Sequence, residues 1–83
     1  MRYTVTWLPS AQQELARLWM QAPDKRAATA ASHRIDRLLR SAPLLVGTAR
    51  ARYRRFILAP LEVVYFVSSP DLLVEIVQVA YLP

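Results

Sequence analysis

Four arginines, Arg50, Arg52, Arg54 and Arg55, fall within six residues and lead directly into the apolar run Ala59-Pro60-Leu61-Glu62-Val63-Val64-Tyr65-Phe66-Val67. A guanidinium is a planar, permanently charged fork that pairs with phosphate or carboxylate. Cations this dense, placed beside a core strand, point to binding of an anionic partner. On an unbroken strand, Arg50, Arg52 and Arg54 share a parity and form one ladder, with Arg55 on the opposite face. Ten of the eleven cations are arginine, and the net charge is +5, which suits nucleic acid or an acidic protein.

Other chemistries are excluded by what the chain lacks. It has no cysteine, so thiolate catalysis, disulfides and Cys-based zinc sites are ruled out. His33 is the only histidine, and on the polar face of a helix it reads as a surface residue rather than a ligand or a triad member. With one glycine, Gly47, the chain cannot build a glycine-rich phosphate cradle. No cofactor or metal is therefore expected. The N-terminal stretch has no apolar signal core, and Pro60, Glu62, Pro70 and Glu75 interrupt the apolar runs well short of the ~20 residues a membrane span needs. A cytoplasmic protein that does not enter a membrane is expected.

The elements that must position the arginines follow from periodicity. The 83 residues make one domain, 1–83. Tyr3, Val5 and Trp7 alternate with Thr4 and Thr6, which predicts a strand over 3–8. Ser10, with Gln13 three positions on, predicts a capped helix over 10–22 whose stripe is Ala11, Leu15, Leu18, Trp19 and Ala22. Pro23 ends it. Asp24 caps a second helix over 24–41, with Ala28, Ala31, Ile35, Leu38 and Leu39 inward and an Asp36–Arg40 pair outside. A loop over 43–49, punctuated by Gly47, leads to three strands over 51–58, 61–68 and 72–80 joined by short turns, hence antiparallel neighbours. The last two strands are apolar at nearly every position, as central strands are. The expected fold is α+β, in the order β-α-α-β-β-β. A helical hairpin covers one face of a four-stranded, mostly antiparallel twisted sheet, and the other face is partly bare.

This order, with "YTVTWLPSAQQEL", "AASHRIDRLLRSAP", Gly47, an arginine leading into "APLEVVYFV", and the closing "VEIVQV", resembles the RelE/ParE superfamily of toxins from type II toxin–antitoxin systems, the plasmid stabilisation protein family. The resemblance spans nearly the whole chain. It implies a toxin neutralised by a cognate antitoxin, as a homodimer or a toxin–antitoxin hetero-oligomer. The target would be ribosome-bound mRNA, cut without metal, or DNA gyrase, poisoned by binding. A relative of the same fold that is a non-toxic basic interaction module is the alternative.

For the nuclease branch the resemblance implies cations around a phosphate, a base and an acid. Arg54 or Arg55 matches the family arginine before the "PL.V.Y" strand, and the ladder parity prefers Arg54 for the open side. Tyr81 lies where the family's terminal catalytic tyrosine or histidine region lies and could donate a proton or stack on a base. Glu62 could serve as base. The chain departs from the family pattern in having no C-terminal histidine and only one lysine, Lys25, far from the arginines.

Overall fold

Pro9 opens the first helix. Its ring holds φ at a helical value, and the N–H it lacks is one the first turn would leave unpaired in any case. In the computed structural model, which describes residues 2–82, helix α1 runs Pro9–Gln21, with Leu8 as an N-cap that makes no side-chain bond. The helix thus starts one residue before the expected Ser10 cap, and Ser10 lies in its first turn. Strand β1, Thr4–Trp7, precedes it. Asp24 caps helix α2, Lys25–Ser41, by accepting from the Ala27 N–H at 3.0 Å, and Arg40 Nε lies 2.7 Å from Asp36, both as expected.

Both helices cover one face of the sheet. Ile35 and Leu39 are fully buried against Leu61, Val63, Tyr65, Val74 and Ile76. Ala28 and Ala31 are buried as well, their small side chains letting α2 lie close to its neighbours. Leu15 and Leu18 pack on this core, whereas Trp19 is 42% exposed and donates to Thr29 Oγ1 at 2.9 Å.

The sheet has five strands rather than four. Strands β2 (Thr48–Arg50), β3 (Tyr53–Leu58), β4 (Leu61–Ser68) and β5 (Leu73–Tyr81) follow the helices. Their spatial order is β1-β5-β4-β3-β2; β1 runs parallel to β5 and every other pair is antiparallel. The expected 51–58 strand is in fact the second arm of a β2–β3 hairpin, in which Arg50 pairs with Tyr53 across a two-residue turn at Ala51 and Arg52. Ala51 takes φ 56°, a left-handed conformation usually reserved for Gly, Asn or Asp. No turn-forming residue type marks the spot.

Strands β4 and β5 are central, as their composition predicts. On β4 the side chains of Leu61, Val63 and Tyr65 face the helices, and those of Glu62, Val64 and Phe66 face the uncovered side. No helix among the described residues is long and apolar enough to cross a membrane.

Candidate anion-binding face of the β2–β3 hairpin

The hairpin turn decides where each arginine points. Directly paired residues in an antiparallel ladder share a face. Arg50 pairs with Tyr53, and Tyr53 has the parity of Arg55, so Arg50, Tyr53 and Arg55 stand together on the uncovered face. Arg54 pairs with Tyr65, a core residue with no exposed surface, and so belongs to the helix-covered side. The expected Arg50–Arg52–Arg54 ladder therefore does not form. The two-residue turn reverses the parity that an unbroken strand would have carried, and Arg52 sits exposed within that turn.

Arg54 is committed to the chain itself. Its Nη2 donates to the carbonyls of Leu44, Val46 and Gly47 at 3.2, 3.0 and 3.3 Å. Its Nε is buried without a partner among the described residues. The Tyr65 hydroxyl donates to Pro43 O at 2.7 Å and approaches Val46 O at 3.0 Å. Burial pushes the Tyr65 phenol above its ordinary pKa, and the hydrogen bond and charge of Arg54 oppose that rise. Gly47 completes the arrangement. It has φ 72°, and a Cβ there would lie 2.6 Å from Arg55 O and 3.1 Å from Tyr65 Oη. The loop 43–47 is thus pinned by a cation and a phenol.

On the uncovered face, Arg55 holds Glu62, with Nε and Nη2 at 2.9 and 2.8 Å from Oε2. A hydroxyl reaching Glu62 would have to displace that pair. Arg50 and Arg52 are exposed, and neither enters a salt bridge among the described residues. Tyr53 and Phe66 meet edge to face, with centroids 6.4 Å apart and planes at 68°. Arg50, Tyr53, Arg55, Glu62 and Val64 line a shallow depression of about 460 Å³, whose rim Arg54 also reaches. The result is a basic face with an aromatic pair beside it, suited to an anionic or amphipathic partner.

Tyr81 is placed elsewhere. It pairs with Leu61 on the helix-covered side and packs against the core. Its row, Leu58–Leu61–Tyr81, lies four residues along β3 from the row of Arg54 and Tyr65, about 13 Å at the strand rise. Glu62 is on the opposite face from both Arg54 and Tyr81. The three residues expected to share a catalytic centre do not converge. Sequence reasoning passed over Tyr53 and Phe66, which the alternation of Tyr53, Arg55 and Ile57 would have revealed had the turn at 51–52 been marked. No group of three or more His, Cys, Asp or Glu residues that could hold a metal occurs among the described residues.

No protein-family model and no curated protein matches the sequence. Solved structures do match. The toxin–antitoxin complex RelBE2 of Mycobacterium tuberculosis contains a chain that superposes with a TM-score of 0.78 at 19% identity, covering 98% of this chain and 92% of that one. The chain has the RelE/ParE toxin fold. The RelE–RelB complex of Pyrococcus horikoshii matches with a TM-score of 0.72 at 20% identity, covering 98% and 96% of the two chains. The chromosomal ParDE system of P. aeruginosa matches at 0.72 and 14% identity, covering 99% and 98%. Matches to both RelE and ParE structures over nearly full length bear out the expected architecture, with the β2 arm as the added strand. Within the RelE/ParE fold the arginine-bearing hairpin occupies the end of the sheet opposite β1.

Proposed function

We propose that this chain is the toxin of a type II toxin–antitoxin module, acting in the cytoplasm and held inactive by a cognate antitoxin. The observation that carries this reading is the fold likeness. It covers 98% or more of the chain and extends to both RelE and ParE structures, one of them described as a toxin–antitoxin complex and another as a RelE–RelB complex. The antitoxin would cover the bare sheet face, where Arg50 and Arg55 flank the Tyr53–Phe66 pair. Target and antitoxin would then compete for the same cations.

Between the two modes of action, side-chain placement favours inhibition by binding, as at DNA gyrase, over metal-free cleavage of ribosome-bound mRNA. Arg54 is spent on loop carbonyls, Tyr81 is packed on the core, and Glu62 lies across the sheet from both. A nuclease needs a base, an acid and cations within reach of one phosphate.

The test is induction in bacteria with and without the neighbouring reading frame. Growth arrest relieved by that frame, with altered plasmid supercoiling and no new mRNA ends in primer extension, is the expected result. Cuts within ribosome-bound codons would establish the nuclease mode instead. Normal growth from a folded chain would point to a non-toxic basic interaction module. Light scattering of the chain alone and with its partner separates a homodimer from a hetero-oligomer.

A further inference from the structure

One cross-strand row on the uncovered face runs through all five strands. Arg50 on β2 pairs with Tyr53 on β3, whose ring meets Phe66 on β4. Phe66 pairs with Glu75 on β5, and Glu75 pairs with Thr6 on β1. Directly paired residues share a face, so a cation, two aromatic rings, a carboxylate and a hydroxyl stand in line. At about 4.8 Å between strands, Arg50 and Glu75 stand about 14 Å apart. Neither enters a salt bridge among the described residues. Tyr53, Phe66 and Ile57, three of the large exposed hydrophobic side chains, lie on this face.

The row is its own complement. A two-fold axis that lies between two stacked sheets, parallel to their strands, reverses the row from end to end. With the axis midway between Tyr53 and Phe66, Arg50 of each copy stands over Glu75 of the other, and Tyr53 of each over Phe66 of the other. An axis along the row instead sets arginine on arginine and glutamate on glutamate, so charge selects the first arrangement. Sheets packed face to face lie about 10 Å apart, with their strands about 30° from alignment. At about 7 Å from the axis that angle displaces opposed residues by about 4 Å, within the reach of an arginine side chain.

The same row disfavours a polyanion. Glu75 stands in it, and Glu62, already held by Arg55, lies on the same face. Nucleic acid would gain at Arg50 and lose at Glu75, whereas a second copy gains at both. Five strands about 4.8 Å apart and about six residues long offer roughly 500 Å² per copy, so that a pair buries about 1,000 Å², at the low end of specific interfaces. A pair of that size is weak and exchangeable.

We propose that two copies of this chain pair through their uncovered sheet faces about this axis, with reciprocal Arg50–Glu75 ion pairs flanking a centre of Tyr53 and Phe66. Pairing hides the surface that antitoxin and target would share, so the chain restrains itself as its concentration rises. That consequence rests on the toxin reading. The pairing itself does not, and it is measured on the chain alone.

The full chain, made by cell-free synthesis, is sedimented to equilibrium over micromolar to millimolar concentrations. A reversible monomer–dimer equilibrium is expected. Arg50→Glu alone, or Glu75→Arg alone, sets like charges opposite each other and should weaken pairing by roughly tenfold or more. Arg50→Glu combined with Glu75→Arg in one chain should restore it. An equimolar mixture of the two single variants should pair with each other, because every opposed couple then has opposite signs, and misfolding cannot produce that gain. A monomer at all concentrations, pairing undiminished in both single variants, or no recovery in either the combined variant or the mixture overturns the proposal.

Discussion

Arg54 and Tyr65 face each other across the β3–β4 ladder and reach the same atom: Arg54 Nη2 and Tyr65 Oη each lie 3.0 Å from Val46 O. One carbonyl therefore holds a strand arginine, a core tyrosine and the 43–47 loop together. The most conspicuous arginine cluster in the chain is divided by this contact, with Arg54 turned toward the 43–47 loop, Arg55 paired with Glu62, and Arg50 and Arg52 exposed.

Truncating that inward arginine should cost stability. Arg54→Ala removes a charged donor from three carbonyls, and hydrogen bonds to charged groups are worth about 1.5–3 kcal/mol each, less where one donor is shared. A loss of about 2–3 kcal/mol in urea unfolding is expected. Arg55→Ala, which breaks only a surface pair with Glu62, should cost no more than about 1 kcal/mol. Equal costs for the two would contradict the division of labour.

Gly47→Ala should be at least as damaging. The left-handed backbone costs a residue bearing Cβ about 1–2 kcal/mol, and the new atom would stand 2.6 Å from a backbone oxygen that cannot easily retreat. A drop in Tm of several degrees is the expected readout.

The Tyr65 hydroxyl makes stability fall in alkali. Its folded pKa is raised above 10.0, chiefly by burial. Below pH 10 the phenol is protonated in both states and its contribution is complete. As pH climbs past the ordinary value, the unfolded chain releases this proton first, so unfolding gains until the folded phenol also ionises. Tyr65→Phe should lower stability by about 1 kcal/mol at neutral pH. It should also flatten the decline above about pH 10 that denaturant melts of the unaltered chain display.

Growth arrest on induction should depend on the uncovered face. Arg50→Gln with Arg55→Gln is expected to abolish arrest while the chain still folds, because both side chains are exposed. Tyr81→Phe should leave arrest intact, since that ring packs on the core side of the sheet. Arrest abolished by Tyr81→Phe in a chain of normal stability would restore the catalytic assignment.

Much of the architecture can be read in the residue order because local signals and packing agree. Asp24 caps α2, Ile35 and Leu39 fill its buried stripe, Asp36 meets Arg40 one turn on, and the apolar runs of β4 and β5 occupy the middle of the sheet. The hairpin was hidden for a local reason. Ala51 and Arg52 turn the chain without Gly, Asn or Asp, so 48–58 shows no break and the parity count passes through the corner unreversed. That single slip exchanges Arg54 for Arg55 on the open face. Tyr65 reads as core from its mid-strand position, but nothing local announces that its hydroxyl would share the Val46 carbonyl with Arg54, eleven positions earlier.

A sheet clad on one side only ties its own thermodynamics to its surroundings. Val64 and Phe66 have the helices behind them and water in front. Any molecule that settles there binds the native chain and not the unfolded one, and adds about 2.7 kcal/mol once its free concentration reaches a hundredfold its Kd. Thermal midpoints of this protein should therefore track the abundance of its companion, and clearance of that companion would leave a fold of narrow margin exposed to proteolysis.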